Sequence, residues 1–485
     1  MNSRFTPLSV LASSNRSAHG QAAATSKRLL STIRTLLVAV LLLAAQAGYC
    51  QSPQWQWAVQ AAGSGTSQLK GVATDQEGNT YAIGFFTDKT TFGTISLTSR
   101  GKSDLFVAKL SPAGSWQWAV AAGSSGSDQA AGIALDASGA IFVTGSFSNQ
   151  VALGATTLTS QGATDVFVAQ IGTDGQWQWA TSAGGPGLDL ARALATTGTG
   201  ALVVAGQFAA TAAFGPKALT SNGISDAFVA SLTPAGGWQW ATAAGSAGND
   251  EARALAVSGK GDIYVTGYFS ALVAFGATTL RGRGLNDAFV GKLSSTGQWQ
   301  WATAATSTNT AYGKGLAADP AGGVFVTGSF SGDAFFGPVR LCGDNDDGFV
   351  GRLSASGRWD WVRSISSPLL ESIVGIALDK QGKLYVAGTF SDQIRAGGFQ
   401  LVSRGHTDAF VGYLSRAGNW LGLTAAGGAD DDDAQAMALA AGGEVYIGGE
   451  FSSQATFGSS QLQAARSYTQ LYVGQASVLP SVPQP

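Results

Sequence analysis

All 13 tryptophans of this chain keep one beat. They stand at 55, 57, 116, 118, 177, 179, 238, 240, 299, 301, 359, 361 and 420, and the first of each group follows its predecessor by 61, 61, 61, 61, 60 and 61 residues. Other positions share the interval. A phenylalanine two residues after a glycine recurs at Phe86, Phe147, Phe208, Phe269, Phe330, Phe390 and Phe451. A second aromatic recurs at Phe106, Phe167, Phe228, Phe289, Phe349, Phe410 and Tyr472. Seven copies of one unit therefore fill the chain from about Gln54 to Ala476. Such a period belongs to architectures in which a unit unable to bury its apolar face alone stacks on its neighbours.

Each copy holds four short runs rich in aromatic and β-branched residues, the composition of half-buried or buried strands. In the second copy they are Gly132–Leu135 (A), Ile141–Gly145 (B), Val166–Ile171 (C) and Trp177–Ala180 (D). The A–B link Asp136–Ala140 and the C–D link Gly172–Gln176 carry glycine and read as hairpin turns. No segment has helical periodicity. Four antiparallel strands per 61-residue unit predict an all-β, seven-bladed β-propeller. The chain ends sharpen this: a D run, Trp55–Val59, precedes any A, B or C, and the seventh copy stops after its C run. The N-terminal strand is thus expected to complete the last blade and close the ring, removing the edge strands that an open array would expose.

The runs Gly132-Ile-Ala-Leu-Asp136, Ile141-Phe-Val-Thr-Gly145 and Asp165-Val-Phe-Val-Ala169 resemble the secreted bacterial seven-bladed β-propeller repeat family (SBBP-type repeats). Asp104-Leu-Phe-Val-Ala-Lys-Leu110 and Asp408-Ala-Phe-Val411 carry the likeness of the third run furthest. The resemblance covers all seven units and implies the fold; it implies almost nothing about activity.

Residues 1–47 read as a secretory signal peptide: Arg4, Arg16, Lys27, Arg28 and Arg34 with no acid, then the apolar run Leu36–Ala45 and an A-x-A site ending at Ala47. Ten apolar residues are too few to span a bilayer. The domains expected are therefore 1–47 signal, 54–477 propeller and 478–485 a Pro-rich tail. Without the signal, 23 basic face 30 acidic residues, a net charge of about −7, which disfavours nucleic acid and anionic lipid. Charged residues make up only 12% of the chain, whereas 45% is hydrophobic, so disorder is excluded. Cys50 and Cys342 make no disulfide framework; Cys50, just past the cut, is also a lipidation candidate.

Catalytic signals are scarce. After the signal only His406 remains, too little for a Ser-His-Asp site or a multi-histidine zinc or copper site, and there is no phosphate loop. Carboxylates are the remaining candidates. One set precedes strand C (Asp104, Asp165, Asp226, Asp287, Asp347, Asp408, with Gln470 in the seventh copy). Another precedes strand A (Asp128, Asp189, Asp250, Glu371, Asp432, with Ser67 and Ala311 elsewhere). Either they ring one face as calcium or sugar ligands, or each accepts backbone N–H bonds in its turn; recurrence in nearly every copy favours the turns, because a ligand site needs one unique constellation. Asp430–Asp433 and Asp344–Gly348 break the symmetry, and hard oxygens suit calcium, yet neither has EF-hand spacing. The Trp-x-Trp pairs could offer a sugar-stacking platform if alternate residues share a face, but blade-to-blade packing explains them better.

The expected function is a non-catalytic, secreted or cell-surface, monomeric scaffold without cofactor, catalytic or cofactor-binding residues, and with metal binding left open. It would bind a protein or glycan through its B–C links of about 17 residues, such as Ser148–Thr164, and its D–A links, which share one face. The alternative is a polysaccharide hydrolase or lyase using loop carboxylates on that face.

Overall fold

The computed structural model describes residues 52–366, 369, 371–465 and 468–478. The segment 1–47, Cys50 and residues 479–485 of the tail lie outside them. Blade 1 consists of Ser67–Thr74 (A), Thr80–Phe86 (B), Asp104–Leu110 (C) and Trp116–Ala122 (D), hydrogen-bonded in that order. The pattern repeats through blades 2 to 6. Blade 7 takes Asp432–Leu439, Val445–Phe451 and Gln470–Ser477, and its D strand is Gln54–Gly63 from the other end of the chain. There Ala58 stands opposite Gly474 and Val59 opposite Val473. The ring closes as the order of runs requires. A strands of successive blades pack against one another all the way round, blade 7 on blade 1 included, so they surround the axis.

Strands B and C are buried almost throughout because a blade in a ring is covered on both faces. Each apolar cluster therefore bridges two blades: Ile83 and Val107 of blade 1 pack with Val143 and Phe167 of blade 2. Leu471 and Val473 of blade 7 pack with Ala82 and Phe106 of blade 1 in the same way. Each buried phenylalanine contributes about 1.5–3 kcal/mol, so the seam where the chain ends meet is apolar like the other six.

One feature differs from the sequence expectation, and a second refines it. The B–C links are not adaptable loops. Each folds into a β-hairpin, as in Lys89–Phe92 with Ile95–Thr98, turned over two residues at a glycine with positive φ (Gly93, 61°). In five of the seven blades this hairpin also bonds to the D strand of the preceding blade, for example Ala61 with Phe92 and Gly427 with Thr456. Phe92, Phe214, Phe275, Phe336 and Phe457 anchor their hairpins, each edge-on to a tryptophan with ring centroids 4.9–5.4 Å apart.

Second, the paired tryptophans do not share a face. A β-bulge lies between them, so Trp116 pairs with Leu110 but Trp118 with the adjacent Lys109. Consecutive residues of strand C point to opposite faces, and the two indoles follow. The first reaches back: Trp116 donates to the Gln60 carbonyl of the preceding blade at 3.2 Å. The second reaches forward: Trp118 donates to the Thr173 carbonyl of the next blade at 2.8 Å. The blade-to-blade packing expected of these pairs is thereby borne out, as two clamps facing opposite ways. Each second tryptophan lies on the positive-φ glycine of the next C–D turn, as Trp301 does on Gly357 (φ 78°). Blade 6 alone has Gly422 in place of that tryptophan. The blade after it is the one whose C and D strands are chain ends, with no C–D turn to cover.

Candidate functional site

The two carboxylate sets meet at the blade junctions. Both begin their strands opposite the end of strand B, as Asp104 does with Phe86 and Asp128 with Phe147. The acid before strand C of one blade lies beside the acid before strand A of the next. A Cβ on Gly427 would fall 2.4 Å from Asp408 and 3.0 Å from Asp432. None of these acids reaches solvent: Asp104, Asp128, Asp165, Asp189, Asp226, Asp250, Asp287, Asp347, Glu371, Asp408 and Asp432 are all buried.

In nine of the eleven one oxygen is committed to a backbone N–H, while Oδ1 of Asp165 and of Asp408 is buried without a hydrogen-bond partner among the described residues. Asp104, Asp165, Asp226, Asp287 and Asp408 each accept the N–H of the residue four earlier at 2.7–3.2 Å. Asp128, Asp189, Asp250 and Asp432 do the same from Ser124, Gly185, Ser246 and Gly428 at 2.5–2.8 Å. Burial raises their pKa values, and the facing acid raises them further: Asp128 to about 7, Asp189 to about 6 and Asp432 to about 8. Burial alone raises Asp408 to about 6 against the pull of Arg404. At the junction of blades 7 and 1 the partners are neutral, Gln470 and Ser67, and Gln470 donates to the Gly65 carbonyl. The belt fixes hairpins and junctions.

Among the described residues the symmetry-breaking acids divide between the belt and the surface. Asp432 belongs to the belt, Asp433 accepts from Thr407 Oγ1 at 3.2 Å, and Asp431 is exposed, 3.8 Å from His406 Nδ1. Asp347 is a belt acid, and Cys342 is exposed and free. Among the described residues, no three His, Cys, Asp or Glu side chains are grouped to hold a metal ion. On the opposite face a cleft of about 440 Å³ carries Asp75, Glu77 and Asp136. Asp75 and Asp136 accept the backbone N–H groups of their own turns at 2.8–3.0 Å.

Unassigned chemistry stands at the mouth of the central channel. Every A strand has a β-bulge three residues after the belt position at its start, and bulges re-aim the extra residue. The bulged residues are Lys70, Ala131, Arg192, Arg253, Lys314, Val374 and Gln435. Three cations occupy consecutive blades 3, 4 and 5, on strands Leu190–Thr196, Glu251–Val257 and Thr310–Ala318. Glu251, nearly fully buried, pairs with Arg192 and, at 2.9 Å, with Arg253. The Arg253 guanidinium also lies 4.8 Å and 5.0 Å from the rings of Tyr268 and Tyr312. Lys314 donates to Ser372 Oγ at 2.7 Å; burial and nearby Arg253 bring its pKa down to about 8. Across the channel, Lys70 faces Glu450 at 3.6 Å, and Asp433 lies near it. Aligning the seven copies exposes this position, which holds Lys, Ala, Arg, Arg, Lys, Val and Gln between small and apolar neighbours.

The rim of the same mouth carries exposed apolar groups beside exposed basic ones such as Lys102 and Arg281. The exposed large hydrophobic side chains among the described residues are Leu188, Ile224, Leu272, Leu285, Leu369, Val402 and Tyr468. Every one lies in a B–C or D–A segment, hence on the hairpin face. Ile224 and Leu285, at 67% and 72% exposure, hold equivalent places in adjacent blades.

Sheet order and register define the class: a seven-bladed β-propeller. Neither a family model nor a curated protein matches the chain. Among solved structures it is similar to the WD40 propeller domain of Doa1, with 10% identity over 88% of this chain and 98% of that one and a TM-score of 0.41. The Pan2 WD40 domain of Neurospora crassa gives 9% identity, 88% and 96% coverage and a TM-score of 0.43. A protein of unknown function from Dyadobacter fermentans gives 13%, 74% and 99%, and 0.40. Such likeness carries no activity with it. No helix among the described residues is long and apolar enough to cross a membrane.

Proposed function

We propose that this chain is a secreted or surface-held, monomeric and non-catalytic propeller of the bacterial repeat kind that its runs resemble, and that it binds a partner protein through its hairpin face. The gathering of all seven exposed large hydrophobics on that face supports the reading, since clustered apolar groups outside a core mark interaction surfaces. Six of the seven are aliphatic, which suits a protein better than a sugar; glycan recognition by the same face is the second reading. The belt carboxylates, buried and bonded to their own loops, are poorly placed for the hydrolase alternative.

The test compares the intact chain with an Ile224→Ser/Leu285→Ser variant, each immobilised and exposed to surface and secreted proteins of the producing cells and to a glycan array. Saturable protein binding weakened at least about tenfold in the variant is expected, as for loss of two interface anchors. Equal binding by both chains, or release of sugar from a polysaccharide, would overturn the proposal.

A further inference from the structure

We propose that Arg192, Arg253 and Lys314, at the channel mouth in blades 3 to 5, form a seat for a carboxylate, supplied by an acidic segment of the partner protein. This rests on the reading of the hairpin face as a protein-binding surface and names the chemistry at its centre.

Charge is the first ground. Among the described residues Glu251 pairs with Arg192 and Arg253, and Asp346 on the blade 5 hairpin acts on Lys314, so three cations meet two acids and the group keeps a net charge of about +1. Lys314 is held by a neutral hydroxyl and has Arg253 as a cationic neighbour. Lys70 differs, because Glu450 and Asp433 oppose it. The unmatched charge is therefore confined to one side of the channel.

Preorganisation is the second. Tyr268 and Tyr312 flank the Arg253 guanidinium, and the Tyr312 hydroxyl accepts from Asn286 Nδ2 at 3.0 Å. Glu251 draws Arg192 and Arg253 together. A guanidinium with an ammonium nearby matches a carboxylate, which accepts two charge-assisted hydrogen bonds at once. Blade position is the third. The same sector carries Leu188, Ile224 and Leu285 on its rim. A segment with an acid flanked by apolar residues meets both at once.

The test uses calorimetry on the intact chain at low salt, with a peptide carrying two glutamates between leucines and its glutamine twin. Expected are saturable binding of the glutamate peptide alone, at least tenfold weakening by Arg253→Gln and by Lys314→Met, and no change with Arg358→Gln on the opposite face. A second readout needs no variant: acetylation of Lys314 at pH 8, followed by mass spectrometry, should slow when the glutamate peptide is present. Equal binding of both peptides, or unchanged Lys314 acetylation, would overturn the seat. So would oligogalacturonate that binds and loses affinity in the same variants while the peptide does not bind, since the carboxylate would then be a polysaccharide's. Partner binding that survives Lys314→Met but is lost in Ile224→Ser/Leu285→Ser would refute the seat and leave the face.

Discussion

Asp432→Asn replaces a titrating carboxyl at the junction of blades 6 and 7 by a neutral amide while keeping an oxygen for the Gly428 N–H. Burial first, and Asp408 next to it, raise the Asp432 carboxyl from 3.8 to about 8. The folded chain thus holds a proton that the unfolded chain releases above about pH 4. Stability from this group is complete below the unfolded value and is lost as pH rises toward 8. At 1.36 kcal/mol per tenfold change in proton affinity, the loss between pH 5 and 8 is at most about 4 kcal/mol. Solvent relaxation around the pair reduces it to about 2 kcal/mol. Tryptophan fluorescence reads the urea midpoint well, because the indoles clamp the junctions. The wild type should weaken from pH 5 to pH 8, and D432N should be the more stable chain at pH 8 with a flatter profile. Asp88→Asn, the same replacement at an exposed site, should leave the profile unchanged. A wild-type midpoint that does not fall with pH, or D432N weaker than wild type at pH 8, would refute the reasoning.

Gly357→Ala should cost about 2 kcal/mol, from left-handed strain plus a Cβ 2.7 Å from Trp301, whereas Gly382→Ala, with only Arg416 at 3.8 Å, should cost about 1; urea midpoints separate them. Removing residues 52–60 unpairs the edge of Gln470–Ser477, so light scattering should show oligomers or aggregates in place of a single species. Asp319, fully buried, is gripped by Arg352 at 2.9 Å and by Arg416 of the next blade; Asp319→Ala should lower the unfolding free energy read from urea titration by about 2–3 kcal/mol, less than a fully enclosed pair because both arginines are partly exposed.

Much of the ring was legible because a repeat writes its geometry seven times. Tryptophan spacing gave blade number, and the stray D run at Trp55 gave closure. The regular recurrence of the acid sets favoured a role in turns, and the four-residue reach of nine of them to a backbone N–H agrees with it. The hairpins were illegible because four-residue strands such as Lys89–Phe92 gain their order from the neighbouring D strand, a contact far away in sequence. The bulge between Trp116 and Trp118 was equally hidden, since it exists only against strand C. The channel cations were missed because a lone arginine in an Ala-rich strand looks like a solvated residue until the bulge aims it at the axis.

The claim that the hairpin face is the working surface is tested most directly by hydroxyl-radical footprinting of the intact chain with its captured partner. Protection should fall on Ile224, Leu285, Leu188 and the neighbouring hairpins, with the turns around Asp75, Pro112 and Asp136 left as reactive as in the free chain. Protection of those turns instead, with the hairpin face unchanged, would show that the partner binds the other side of the ring.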